Sequence, residues 1–233
     1  MMSADGRVVM ISGSNRGIGA AIARRLGAAG FRLSLGMRDT AKALAGDPTR
    51  SFITHYDARE RDSAKAWVDE TLQRYGRIDA LINNAGISPT VRIEDEDEDA
   101  LDDLWLVNVK APLRLVRAAL PYLKASGTGR VINVASLSGK RVPNANNGYA
   151  MTKFALVALT HSVRRLGWEH GIRATALCPG FVATDMTAGV TRVDRADMIR
   201  PDDLAELVAC LLALPNNASI AELLVNMRYE DML

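Results

Sequence analysis

Cysteine is scarce in this chain: Cys178 and Cys210 are the two among 233 residues. Neither has a neighbour at CxxC spacing, so a disulfide-stapled secreted scaffold is excluded, and no metal site is expected. Both sit in apolar runs and read as buried free thiols, which suits a reducing compartment. Charge of one sign is also lacking. The formal net charge is +2 and no Lys/Arg-rich block occurs, which argues against nucleic acid or a membrane surface as partner. No apolar run approaches the roughly 18 residues of a membrane-spanning helix. The first six residues are polar and carry no signal-peptide pattern, so a cytoplasmic location is expected. Linkers and internal repeats are missing too, and residues 1–233 are expected to form a single domain.

What the chain does have is an alternation of short apolar runs with longer helical patterns. Strands are expected over residues 7–12, 31–37, 51–56, 78–83, 130–135, 172–178 and 220–226. Helices are expected over residues 17–29, 62–75, 99–123, 149–168 and 201–212. Strands that are apolar throughout are buried on both faces, and crossover helices imply a parallel sheet. The fold class is therefore α/β: a doubly wound, mostly parallel, Rossmann-like sheet in three layers. Such sheets hold ligands in a crevice at the carboxyl ends of their strands. The acidic run 94–99 reads as a solvated loop entering a helix N-terminus, where negative charge is favourable.

The first strand runs into Gly13-Ser14-Asn15-Arg16-Gly17-Ile18-Gly19. A tight turn needs residues without a Cβ, and a pyrophosphate needs bare backbone N–H groups at a helix start. The spacing is GxxxGxG rather than GxGxxG. Further along, Tyr149 and Lys153 stand four apart on one helix face. A lysine ammonium beside a tyrosine favours the phenolate and is expected to lower its pKa. The long helix over 99–123 carries Pro112, which has no N–H for the carbonyl of Asn108, so a kink is expected there.

Together the GxxxGxG loop, Asn83-Asn84-Ala85-Gly86 and Tyr149-Ala150-Met151-Thr152-Lys153 resemble the short-chain dehydrogenase/reductase family, over residues 7 to about 226. The resemblance implies an oxidoreductase that moves hydride between a nicotinamide cofactor and a small-molecule alcohol/carbonyl pair. It implies Tyr149 as general acid/base, Lys153 holding the nicotinamide ribose and lowering the Tyr149 pKa, both residues also contacting the cofactor, and Ser136 hydrogen-bonding the reacting carbonyl, with Ser138 the alternative serine. Asn108 would hold a water that continues a proton relay from Lys153; a simple packing kink is the alternative. Gly13, Asn15, Arg16, Gly17, Ile18 and Gly19 would hold the pyrophosphate. Asn84, Ala85 and Gly86 would lie along the adenosine ribose. Pro179, Gly180, Val182 and Thr184 would flank the nicotinamide. Asp57 would meet adenine, or cap the next turn.

The cofactor preference turns on the end of the second strand, expected near Met37. An acidic residue there would bind the ribose 2′-OH; here Arg38 follows, and Arg16 adds a second cation. NADP(H) is therefore expected, with NAD(H) the alternative if the strand runs on to Asp39. The ending from Ile220 to Arg228 resembles the branch with NADP-dependent serine and 3-hydroxy acid dehydrogenases, which suggests a small hydroxy acid. Arg92 and Arg141 are then candidates to meet a carboxylate. Family members commonly form homodimers or homotetramers through the two long helices. Two other readings stand beside this one: a cofactor-binding redox sensor or inactive scaffold, and a lyase or epimerase on the same fold.

Overall fold

The computed structural model describes residues 1–43 and 49–229. Seven strands, β1 (Val8–Ser12), β2 (Arg32–Met37), β3 (Ser51–His55), β4 (Ala80–Asn83), β5 (Arg130–Val134), β6 (Arg173–Pro179) and β7 (Glu222–Val225), form one sheet. Among the described residues, six α-helices flank them: α1 (Gly17–Ala28), α2 (Ser63–Tyr75), α3 (Asp99–Trp105), α4 (Ala111–Ala125), α5 (Asn147–Gly167) and α6 (Pro201–Ala213). The strand order is β3-β2-β1-β4-β5-β6-β7 and every pairing is parallel.

Burial on both faces is visible residue by residue in β1. Val9 and Ile11 enter one apolar layer with Ile22 and Leu26 of α1 and Leu204 and Val208 of α6. Met10 points the other way, into a layer with Trp67 of α2, Leu115 of α4 and Val163 of α5. The order reverses between β1 and β4, so their carboxyl ends part and leave a crevice.

Two sequence expectations need correction. The helix expected over 99–123 is divided: α3 and α4 are joined by a π turn, Leu106–Lys110. The Ala111 N–H donates to the carbonyl of Leu106, one residue further back than in an α-helix. Pro112 has no N–H to give, and the chain absorbs the defect with a wider turn rather than a simple kink. Cys178 is buried as expected, but Cys210 is exposed. The buried residues of α6 are Leu204, Ala205, Val208, Leu211 and Leu212, and Cys210 lies on the opposite face. The acidic run is exposed and leads into α3, as expected.

Candidate active site

The glycine loop is shaped by backbone contact. Gly13 has φ +66°, and a Cβ there would stand 3.0 Å from the Ala85 Cα. Gly17 opens α1 with φ +54°. Arg16, the residue before it, gives no side-chain cap, and the first turn holds no acidic residue. The free N–H groups of that turn are thus left to an anion. Ser14 is buried, and its Oγ has no hydrogen-bond partner among the described residues. A buried hydroxyl without a partner is costly, and Ser14 is not among the residues lining the cleft.

The end of β4 is tied to this loop. The Ser12 Oγ accepts from the N–H groups of Asn84 and Ala85, both at 3.0 Å. Asn84 Nδ2 donates to the carbonyls of Ser12 at 2.9 Å and Gly13 at 3.0 Å. Gly19 plays a different part from the one expected. It does not line the cleft. A Cβ on it would stand 2.3 Å from the Gly13 carbonyl oxygen and 2.5 Å from Asn84 Nδ2. It is the glycine that lets α1 close against the loop.

At the β2 edge the strand ends at Met37, where sequence reasoning placed it. Arg38, Asp39 and Lys42 follow along the cleft. Asp39 caps the short turn Thr40–Lys42, accepting from the Ala41 N–H at 3.1 Å, and pairs with Lys42 at 3.0 Å. Arg16 reaches across to Asp185 at 3.3 Å. Lys42 was not foreseen, because it sits in a turn beyond the strand. Asp57 lines the cleft and caps the next turn, its Oδ1 accepting from the Arg59 N–H at 2.9 Å.

Across the cleft stand Ser136, just past β5, and Tyr149 and Lys153 of α5. Asn146 starts that helix, its Oδ1 accepting from the Tyr149 N–H at 3.4 Å. Tyr149 and Ser136 share a side-chain hydrogen bond. The Lys153 Nζ donates to the Val134 carbonyl at 3.0 Å and lies 5.4 Å from the centre of the Tyr149 ring. Burial pushes the Tyr149 phenol up to about 12, only partly offset by the Ser136 bond. Burial also brings Lys153 down to about 8. The expected lowering of Tyr149 by the lysine is thus not the dominant effect in this geometry. Desolvation raises the phenol, and the one group that lowers it is Ser136, not Lys153. Ser138, the alternative serine, lines the cleft too, but its N–H donates to the Ser136 Oγ at 3.0 Å.

Asn108 lies behind this wall rather than on it. It is buried and is not among the residues lining the cleft. Its amide brackets Ile87, accepting from the N–H and donating to the carbonyl, each at 3.0 Å, and donates to the Thr152 Oγ1 at 3.2 Å. Gly13, Asn15, Arg16, Gly17, Ile18, Arg38, Asp57, Asn84, Ala85, Gly86, Pro179, Gly180, Val182 and Thr184 all line the cleft, whose volume is about 1090 Å³. Thr184 leads a turn in which its N–H donates to the Thr187 Oγ1 at 3.2 Å. Phe181 and Arg192, which sequence reasoning did not single out, line it as well. Arg92 does not.

The profile of the short chain dehydrogenase family matches residues 7–194. Agropine synthesis reductase of Rhizobium rhizogenes is 45% identical over 217 residues, which cover 91% of this chain and 50% of that protein. The chain therefore spans about half the length of this curated relative. An uncharacterized oxidoreductase of Staphylococcus aureus is 30% identical, with 94% of this chain and 96% of the relative covered. Among solved structures, a short chain dehydrogenase from Burkholderia cenocepacia in complex with NADP superposes with TM-score 0.87 at 28% identity, covering 97% of this chain and 98% of that one. An alcohol dehydrogenase from Thermococcus sibiricus complexed with 5-hydroxy-NADP gives TM-score 0.85 at 28% identity, over 96% and 97% of the two chains.

Proposed function

The chain belongs to the short-chain dehydrogenase/reductase family, and from that premise we propose that it interconverts a small-molecule carbonyl and its alcohol with NADP(H). The observation that carries this reading is the Ser136–Tyr149 hydrogen bond beside Lys153, facing a glycine-loop cleft.

The cleft residues fit a dinucleotide. The uncapped start of α1 suits a pyrophosphate, and Arg16, Arg38 and Lys42 suit a 2′-phosphate. Asp39, the residue that would favour NAD, is engaged by Lys42 and by its own turn. Similar solved structures carry NADP or a derivative of it and one, a 3-ketoacyl-(acyl-carrier-protein) reductase from Brucella melitensis, carries NADH, so the preference rests on the cations at the end of β2. The nicotinamide supplies or takes up the hydride.

The chain's own residues handle the proton and the oxygen. Ser136 and Tyr149 both present hydroxyls to a substrate oxygen lying between them. At neutral pH the Tyr149 phenol keeps its proton, as an acid for carbonyl reduction must. Lys153, pinned to the Val134 carbonyl, holds positive charge beneath the ring. Asn108 fixes Ile87 and Thr152 and so sets the wall behind Tyr149. A homodimer or homotetramer belongs to the same reading. Tyr122 of α4 and Met151, Phe154 and Leu166 of α5 are large apolar side chains left exposed.

The test is to follow NADPH and NADH absorbance with a panel of aldehydes, ketones and oxo acids. Carbonyl-dependent oxidation of NADPH, faster than of NADH, is the expected result. Tight NADPH binding without turnover on any carbonyl would instead favour a cofactor-sensing role.

A further inference from the structure

Glu222 opens β7, an edge strand whose other residues, Leu223, Leu224 and Val225, are apolar. Glutamate is under-represented in strands, and this side chain is only 21% exposed. Its carboxylate is shared between two other elements. The Lys140 ammonium stands 2.7 Å from Oε2, and His161 Nε2 of α5 donates to Oε1 at 2.6 Å. Lys140, joined by His161, holds the Glu222 carboxyl below the usual carboxylate range, so the group is anionic at neutral pH. None of the three lines the cleft, yet both partners lead to it. Lys140 closes the turn that Ser136 begins. The Gly139 N–H donates to the Ser136 carbonyl and the Lys140 N–H to that of Leu137, each at 2.9 Å. His161 follows Lys153 on the same helix by about two turns. The turn is itself pressed onto α5: a Cβ on Gly139 would stand 2.7 Å from the Lys153 carbonyl oxygen.

We propose that Glu222 is a positioning residue for carbonyl reduction: through Lys140 and His161 it clamps the Ser136 turn to α5 and so sets the spacing of the Ser136 and Tyr149 hydroxyls. This rests on the carbonyl-reductase reading above and deepens it. Ser136 and Tyr149 come from separate stretches of chain, and both must reach one substrate oxygen. A misplacement of about 1 Å there can cost roughly 100-fold in rate. Single exposed ion pairs contribute little, but a mostly buried carboxylate held by donors from two elements resists that drift. The fully buried Cys178 lies under the same clamp. It hydrogen-bonds the Ser136 main chain and stands in the fields of Glu222 and Lys140.

The test compares Glu222→Gln, Lys140→Met and their double variant, with NADPH and a carbonyl that the wild type reduces. Each single variant should lower kcat by roughly tenfold or more and leave KM for NADPH within about threefold, because the cofactor's contacts are untouched. The double variant should fall no further than the worse single one, as residues acting as a unit do. Unchanged kcat in Glu222→Gln, losses that simply add in the double variant, or an equal loss in KM for NADPH would overturn the proposal. Should no carbonyl be reduced at all, the reductase reading fails on its own, and the clamp is then read from Cys178. In a Cys210→Ser background, labelling of Cys178 by an aromatic disulfide reagent reports opening of the Ser136 turn. Labelling accelerated roughly tenfold or more by Glu222→Gln and by Lys140→Met sustains the clamp, and an unchanged rate sinks it.

Discussion

The Lys153 ammonium lies 5.4 Å from the centre of the Tyr149 ring but donates its hydrogen bond to the Val134 carbonyl at 3.0 Å. It is thus anchored to the strand end, not to the phenol oxygen. Ser136 is the group that hydrogen-bonds Tyr149, and burial sets the direction of its pKa. A phenol pushed up to about 12 stays protonated across the neutral range. Tyr149 alone would therefore leave carbonyl reduction level up to about pH 7, above which it should fall as the Lys153 ammonium, brought down to about 8, loses its charge, while alcohol oxidation, which needs the phenolate, should climb with pH. Tyr149→Phe removes the titratable hydroxyl alone. Turnover should fall by roughly 10²–10⁴ with NADPH binding retained. A variant with near-normal turnover would show that Tyr149 transfers no proton.

Lys153 makes a second, thermodynamic prediction. Its pKa is about 8 in the fold against an ordinary value of 10.5. Between those pH values the unfolded chain holds one more proton than the folded one, so this group makes stability rise with pH across the window. Tyr149 acts the other way above pH 10, where only the unfolded chain has lost the phenolic proton. Lys153→Met should therefore melt above the wild type at pH 7, and the gap should close toward pH 10. Each kcal/mol corresponds to about 2–4 °C for a domain of this size. Melting curves at both pH values check it, and a gap independent of pH would contradict the assigned cause.

Arg38 and Arg16 should divide the cofactors. Neither has an anion to grip in NADH at the 2′ position, whereas each can donate to a 2′-phosphate. Arg38→Ala is expected to raise KM for NADPH by roughly tenfold and to leave KM for NADH within about threefold. Arg16 starts from a weaker position, since it already faces Asp185 at 3.3 Å, with both side chains largely exposed. Exposed pairs of this kind contribute under about 1 kcal/mol. Asp185→Asn should therefore improve NADPH affinity only slightly, by about threefold at most. Steady-state kinetics with both cofactors separates these outcomes.

Much of this architecture is legible in the sequence because each inner strand must be apolar on both faces. The runs around Val9, Ile82 and Val131 announce themselves for that reason, and their ends fall within a residue or two of expectation. The Asn108 region was legible only in part. Pro112 declares that a hydrogen bond is missing, but whether a helix kinks or inserts a wider turn depends on what packs around it. Cys210 misled because its sequence neighbours are apolar; the 3.6-residue period of α6 puts it on the outer face. The direction of the Tyr149 shift was hidden, because desolvation depends on tertiary burial, and the group that offsets it, Ser136, comes from another element rather than from the i, i+4 neighbour. The Arg16–Asp185 pair joins residues 169 positions apart, a distance no local pattern encodes.

The glycines offer a last, sharper distinction between packing and ligand contact. A methyl group on Gly19 would stand 2.3 Å from the Gly13 carbonyl oxygen, a backbone atom that can retreat only by moving the whole loop. Gly189 has nothing within 4 Å of the same added atom. Gly19→Ala should thus cost about 1–3 kcal/mol, the range for overpacking, and should weaken NADPH binding by displacing Gly13 and Asn84. Gly189→Ala should melt within about 2 °C of the wild type. Thermal melts and NADPH fluorescence titration of both variants make the comparison. If Gly19→Ala lost cofactor affinity with an unchanged melting temperature, Gly19 would be a direct ligand contact after all, and its assignment to helix packing would have to be abandoned.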